Sequence, residues 1–216
     1  MCLKANFDIG RYFNTFCFII KGMGIIALAL ALLIAITIHE FAHALAADKL
    51  GDPTPRSQGR LTLDPRAHLD LWGTLMIIFT HIGWGKPVEF DPYNLKNPQR
   101  DTAIISLAGP AANLLLATAL ALFIKILPVD FFFPIAAIVI EINVMLAIFN
   151  LVPVHPLDGS KLLVAFLPKH TAYEYDKFMH RYGIFVLLAL ILPWGGVSPV
   201  SQLIWPVINF IVNFLI

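Results

Sequence analysis

Long apolar runs separated by short polar loops dominate the chain from residue 22 onward. The first run, Gly22–Ala47, ends at the glycine and proline of Gly51–Pro53, and two more cover Asp101–Leu127 and Phe131–Leu151. About 20 apolar residues allow an α-helix to cross the hydrocarbon core of a bilayer while satisfying its own backbone hydrogen bonds. These three runs therefore predict membrane-spanning helices.

The remaining pattern predicts shorter elements. Ser160–Leu167 indicates a short helix, Pro168–Arg181 a polar connection, and Tyr182–Leu192 and Val200–Ile216 two final apolar helices. His68–Trp84 is apolar but short and contains glycine, so it either crosses the membrane or enters and returns on the same side. The fold class expected is an all-α membrane protein, a polytopic bundle of about five to six transmembrane helices.

One stretch after the first core helix favours extended backbone instead. Gly59-Arg60-Leu61-Thr62-Leu63 alternates apolar and polar residues, which is typical of an exposed β-strand. A second extended stretch, Gly85–Pro92, lies farther along the chain, and the two stretches are candidates to pair.

Composition agrees with a membrane environment. Of the 216 residues, 58% are hydrophobic and only 13% are charged, a more apolar balance than soluble domains show. The net charge of +1 and the lack of a basic cluster disfavour nucleic acid as a partner. Cys2 and Cys17 are the only cysteines, so ligands for a metal would have to be histidines and carboxylates.

Three regions follow from these patterns. Residues 1–21 mix aromatic and polar side chains, are too polar and too short to span, and are expected to lie at the membrane interface. They lack the order of a cleaved signal peptide, so we expect them in the mature protein. Residues 22–167 form the membrane core, and residues 168–216 form a C-terminal connection with transmembrane helices.

The ionisable residues of the first apolar helix are His39, Glu40 and His43. The two histidines are one helical turn apart on one face, so both imidazoles can reach one metal ion. Glu40 points near the same face and can take a proton from metal-bound water. His39 lies on the order of 12 Å inside the predicted helix end, a depth that disfavours a merely polar helix end at the interface.

A catalytic zinc ion usually has three protein ligands, so a third ligand is needed. Asp158 is the best candidate, because it follows the proline-dense stretch 150–156, through which a helix cannot run undisturbed. Broken backbone at membrane depth is tolerated where it lines a cavity inside the protein. The alternative is that Asp158 and Gly159 form only a turn before a helix.

These motifs resemble the site-2 protease family of intramembrane metalloproteases. The similarity lies in His39-Glu40-x-x-His43 and in Asn150-x-x-Pro153-x-x-Pro156-Leu157-Asp158-Gly159, and further motifs resemble the compact branch without a PDZ domain. It covers about Leu32–Leu167. Those further motifs are Gly51-Asp52, Gly59–Leu63, His68-Leu69-Asp70, Gly73-Thr74, Gly85–Val88, Ala108-Gly109-Pro110-x-x-Asn113 and Asn143.

The resemblance implies a zinc ion (Zn²⁺) held by His39, His43 and Asp158, with Glu40 as general base. It implies hydrolysis of the transmembrane segment of a membrane protein, which makes that protein and the lipid bilayer the expected partners. Asn150 would hydrogen-bond the substrate backbone or the developing oxyanion, unless it serves only as the last residue of a helix.

The substrate would have to unwind, and pairing as a strand beside Gly59–Leu63 would replace its helical hydrogen bonds. His155 departs from the family pattern, and either reaches the metal or faces a wet cavity.

Two other functions are alternatives. A divalent-metal transporter would also bury histidines and acids, but such proteins usually show repeated halves. An inactive relative is disfavoured by the intact metal and base residues.

The expected location is the cell membrane, multi-pass, with the site opening toward the cytoplasm, because the loop after the first helix is rich in basic residues. Those basic residues are Lys49, Arg56, Arg60, Arg66, Lys86, Lys96 and Arg100. The oligomeric state stays open.

Overall fold

The computed structural model describes residues 9–70, 72–73, 84–126 and 133–216, with only the backbone of residues 9–25. Seven α-helices lie in this part of the chain. They are α1 (Ile9–Leu50), α2 (Thr54–Ser57), α3 (Pro98–Ile126), α4 (Phe133–Asn150), α5 (Asp158–Phe166), α6 (Lys169–Ile191) and α7 (Pro199–Leu215). Two 3-10 turns, Pro65–Ala67 and Pro92–Asn94, lie between α2 and α3.

Three of the helices are long and apolar enough to cross a membrane. They are the Ile26–Leu50 portion of α1, all of α3 and all of α4. Their positions agree with the three longest apolar runs of the sequence, and α7 is a shorter apolar helix. The predicted all-α membrane fold is confirmed.

Helix α3 lies at the centre of the bundle and packs against α1, α4 and α5, while α4 also packs against α1 and α7. Small residues let these helices approach closely: Ala31 and Ala35 of α1 face α4, and Ala117 and Ala121 of α3 belong to the core shared with α4 and α7. The bundle therefore holds the face of α1 that carries His39 and His43 against α3.

The end of α1 is held by Asp52, which is fully buried. Its carboxylate accepts hydrogen bonds from the backbone N–H and the hydroxyl of Thr54, from the side chain of Asn94 and from the N–H of Asp91. Gly51 precedes it with φ 109°, a left-handed conformation suited to glycine. Asp52 thus fastens the loop before α3 to the end of α1.

The strand predicted at Gly59–Leu63 is wrong. The backbone turns at Gly59, where φ is 68°, and the N–H of Arg60 donates to Pro55 O at 2.8 Å, so the stretch is irregular. The stretch Gly85–Pro92 pairs with a later residue instead, through an isolated antiparallel bridge between Leu69 and Gly85. The alternation was misleading because Arg60, a polar residue expected to be exposed, is buried.

Two predicted boundaries also differ. The polar stretch Pro168–Arg181 is no connection, since α6 begins at Lys169 and runs unbroken to Ile191, with its polar residues largely exposed. The backbone from Ile9 to residue 21 is helical and continuous with α1. Most of His68–Trp84 lies outside the described residues, as do residues 1–8.

Candidate active site

Three side chains from two distant parts of the chain converge at one point. His39 and His43 lie on α1, and Asp158 is the first residue of α5. The two Nε2 atoms are 3.0 Å apart, and Asp158 Oδ2 lies 3.0 Å from that of His39 and 3.1 Å from that of His43. The histidines are buried and the aspartate is nearly so. Sequence reasoning predicted this set of three.

A buried amide fixes the orientation of His39. Its Nδ1 lies 2.7 Å from Asn113 Oδ1, while both amide hydrogens of Asn113 are used, one on Ala35 O at 2.9 Å and one on Asn143 Oδ1 at 2.7 Å. Oδ1 is therefore an acceptor, and His39 Nδ1 must carry the donated proton. The lone pair of the neutral ring is then on Nε2, which faces Asp158.

His43 is oriented in the same way by a backbone group. Its Nδ1 donates to the carbonyl of Ile105 on α3 at 2.6 Å, which leaves the Nε2 lone pair directed toward His39 and Asp158. Gly109 lets the two rings lie against α3. A methyl group there would be 2.6 Å from His43 Cε1 and 2.8 Å from His39 Cε1, closer than non-bonded carbons approach.

The donor set fits a divalent metal ion. Two imidazole lone pairs and a carboxylate oxygen within about 3 Å of each other repel unless a shared cation or proton lies between them. Both histidines donate their other N–H to an oxygen acceptor, as metal-binding histidines commonly do. These three residues form the one group of possible metal ligands found in the described part of the chain.

Glu40 lines the same cavity as this group, and its carboxylate is held by residues of the segment between α1 and α3. Its Oε2 accepts the N–H of Val88 at 2.9 Å and lies 4.0 Å from Arg60 Nη2. The other oxygen of Glu40, Oε1, makes no hydrogen bond to any residue that the structure describes. It is therefore the oxygen available to a substrate or to water.

The site opens into a cavity of about 300 Å³ between α1, α4, α5 and the segment from Trp84 to Phe90. Its walls are mostly apolar, and its polar groups are those of the site, Asn150, Lys161 and Ser106. The cavity is lined by Leu32, Ile36, His39, Glu40, His43, Trp84, Gly85, Pro87, Val88, Phe90, Ser106, Leu146, Phe149, Asn150, Pro156, Leu157, Asp158 and Lys161.

Other predicted residues take different places. Asn150 lines the cavity, but its amide donates to Leu146 O at 2.9 Å within its own helix. Residues 59–63 are not among those lining the cavity. His155 is absent from the ligand group of the described residues and stacks on His180 with ring centroids 4.5 Å apart.

Several supporting groups were not assigned from sequence. Asn113 was noted only within the resembling motif, although its spacing of four from Gly109 places both on the face of α3 that meets α1. The carbonyl of Ile105 and the N–H of Val88 are backbone groups, and no residue type signals them. Arg60 was expected in a substrate-pairing strand.

The fold and the site together define an α-helical membrane protein. Two histidines and an aspartate form a group that could hold a metal ion, and a glutamate lies in the same cavity. A model described as peptidase family M50 matches residues 27–130 and 128–192, which is most of the chain. The chain belongs to peptidase family M50, and the resemblance to site-2 proteases is confirmed.

Curated relatives carry consistent names. The chain is 34% identical over 197 residues to "Putative zinc metalloprotease YwhC" of Bacillus subtilis, covering 84% of this chain and 85% of that one. It is 30% identical over 174 residues to "Putative zinc metalloprotease Rip2" of Mycobacterium tuberculosis, covering 74% of this chain and 65% of the relative. The Rip2 of Mycolicibacterium smegmatis is 31% identical over 190 residues, covering 82% and 66%. No solved structure matches the chain.

Proposed function

We propose that this chain is an intramembrane zinc metalloprotease that hydrolyses peptide bonds in or near transmembrane segments of other membrane proteins. The observation that carries the proposal is the convergence of His39, His43 and Asp158 beside Glu40 in a cavity among membrane-spanning helices. Membership in peptidase family M50 and the names of the relatives support it.

His39, His43 and Asp158 would hold the zinc ion through Nε2, Nε2 and Oδ2. A bound zinc ion lowers the pKa of a coordinated water toward neutrality and polarises the substrate carbonyl. The chain orients both histidines through their Nδ1–H groups, which donate to Asn113 Oδ1 and to the carbonyl of Ile105.

Glu40 is the group placed to move protons. Its Oε2 is held by Val88, so Oε1 accepts a proton from the attacking water and later passes it to the leaving amine. The low polarity of the cavity strengthens each of these electrostatic contacts. Glu40 does not contact the ligand oxygen of Asp158 in any described hydrogen bond, so its role as base is separable from ligation.

The cavity suits an unwound, largely apolar segment. Its walls carry Leu32, Ile36, Leu146 and Phe149, which accept apolar side chains. A substrate backbone is better placed along Gly85–Val88, which lines the cavity, than along Gly59–Leu63, which does not.

One amide hydrogen of Asn150 is used on Leu146 O, which leaves its second amide hydrogen and Oδ1 for a substrate backbone. The role taken from the resemblance, a hydrogen bond to the substrate backbone or the developing oxyanion, is therefore compatible with the helical hydrogen bond. The proposal retains Asn150 as a substrate-contacting residue on the strength of its position in the cavity.

We place the protein in the cell membrane as a multi-pass protein, with the site opening toward the cytoplasm. The basic residues of the loop between α1 and α3 support this orientation, because cytoplasmic loops carry an excess of lysine and arginine. Arg56 and Arg66 of this loop are well exposed.

The test compares the purified protein with Glu40→Gln in detergent. Both should contain about one equivalent of zinc, because Glu40 is not a ligand, while only the parent should cleave a membrane-spanning test substrate. A chelator should abolish that cleavage and zinc should restore it. Cleavage that survives Glu40→Gln, or zinc flux across vesicles that the same change leaves intact, would contradict the proposal.

A further inference from the structure

Arg60 is a buried arginine in the loop that follows α2. Only 3% of its surface is exposed, whereas the neighbouring Arg56 and Arg66 have side chains that are 64% and 88% exposed. A buried guanidinium is costly unless its donors are matched by acceptors and its charge by a carboxylate. Among the described residues, Nη1 and Nη2 of Arg60 find acceptors, while Nε is buried without one.

The two ends of the guanidinium bridge two loops. Nη1 donates to the carbonyl of Ala67 and Nη2 to the carbonyl of Lys86. The same two loops also meet at Lys86, whose N–H donates to His68 O at 2.8 Å. Arg60 therefore ties the segment after α2 to the segment that forms one wall of the cavity.

This second segment reaches the proposed base. Lys86 precedes Val88 by two residues, and the N–H of Val88 donates to Glu40 Oε2 at 2.9 Å. Arg60 Nη2 itself lies 4.0 Å from the same oxygen. Arg60 thus bears on Glu40 Oε2 in two ways. Its positive charge lies near this oxygen. Its hydrogen bond to Lys86 O also holds the segment whose Val88 N–H donates to the same oxygen.

The charge of Arg60 has its closest partner in Glu40. Burial lowers the pKa of Arg60, and the carboxylates of Glu40 and Glu89 oppose that shift. Glu40 is the one carboxylate within ion-pair distance of Arg60 in the described part of the chain. Lysine could supply the charge, but it lacks the planar fork that donates to two carbonyls at once.

We propose that Arg60 is a positioning residue for Glu40, fixing Oε2 from behind so that Oε1 faces the cavity. The inference rests on the proposed function, because it concerns how the proposed base is held. It assigns Arg60 no contact with substrate or metal. Displacing a catalytic group by about 1 Å can reduce turnover on the order of 100-fold, which sets the expected scale.

The experiment measures kcat and KM of the full-length protein with Arg60→Gln and Arg60→Lys, using the membrane-spanning test substrate. We expect kcat to fall roughly 100-fold for the Gln variant and about tenfold for the Lys variant, with KM within about twofold of the parent. Zinc content should stay at the parent value. Amide hydrogen exchange of a peptide containing Val88 should be faster in both.

Arg56→Gln is the matched control. It removes an exposed arginine of α2 whose only partner among the described residues is Asp48, away from Glu40 and Val88, so kcat, zinc content and Val88 exchange should not change. If Arg60→Gln does not fold, Arg60→Lys decides, because it retains the buried charge.

A second readout tests whether Arg60 acts through Glu40. Glu40→Asp shortens the base and withdraws its oxygens from Val88 and Arg60, so adding Arg60→Lys to it should reduce kcat much less than it reduces the parent. Equal reductions in the two backgrounds would overturn the inference. So would parent-like kcat in both Arg60 variants, a loss confined to KM, or a loss that follows zinc content.

The two proposals fail differently. If the parent protein cleaves nothing, or if Glu40→Gln still cleaves, the proposed function is wrong. If cleavage depends on Glu40 but the Arg60 variants keep the parent kcat, only the positioning role is wrong.

Discussion

Replacing Asn113 with alanine tests how the metal site is oriented. Asn113 is fully buried, and its amide contacts His39 at 2.7 Å, Ala35 O at 2.9 Å and Asn143 at 2.7 Å. The change leaves His39 Nδ1–H without an acceptor and frees the ring to rotate. Loss of such a partner typically weakens metal binding about 10–100-fold, or roughly 1.4–2.8 kcal/mol.

The same substitution also lowers fold stability, and the two effects must be separated. It removes this partner from three groups: His39 Nδ1 and Asn143 Oδ1, at about 1–3 kcal/mol each, and the carbonyl of Ala35 on α1. Asn143→Ala is the matched control, because it breaks the same amide pair but keeps the contact between Asn113 and His39. We expect a comparable fall in melting temperature with zinc affinity within about threefold of the parent.

Zinc affinity is measured by competition with a chelator of known affinity, and stability by thermal unfolding of the chelator-treated protein. Asn113→Ala should lose affinity and stability, and Asn143→Ala stability alone. Equal losses of zinc affinity in the two variants would show that packing, and not the hydrogen bond to His39, governs binding. Unchanged affinity in Asn113→Ala would refute the orienting role.

Three further changes have defined outcomes. Gly109→Ala places a methyl group within 2.8 Å of carbons of His39 and His43, so zinc content by elemental analysis should fall below one equivalent. Asp52→Asn should cost about 2–4 kcal/mol at neutral pH in denaturant unfolding. Burial raises the pKa of Asp52 but hydrogen bonds lower it further, so the native pKa is depressed, and the difference from the parent should shrink as the pH falls below about 4. Ser106 Oγ is buried without a partner among the described residues, so Ser106→Ala should not lower the melting temperature.

The elements that could be predicted are those whose cause is local in sequence. The three spanning helices follow from continuous apolar runs, which report burial in lipid directly. His39 and His43 share a face because of their spacing alone. Asp158 could be proposed because the prolines before it prevent a continuous helix at membrane depth.

The errors arose where tertiary contacts override a local pattern. The alternation in Gly59–Leu63 favoured an exposed strand, but Arg60 gains acceptors on two loops and a nearby carboxylate by turning inward. The polar residues of Pro168–Arg181 indicated a connection, although a helix with one exposed face tolerates them. Neither compensation is visible from neighbours along the chain.

The missed support for the site has a common physical origin. His43 is oriented by the carbonyl of Ile105 and Glu40 by the N–H of Val88, and backbone groups are present at every position of every sequence. Only the packing of α1 against α3, and of the 84–88 segment against Glu40, decides which of them are used. Because the proposed ligands and their supports come from different elements, we expect metal binding to depend on correct helix packing and bound metal to stabilise that packing in turn.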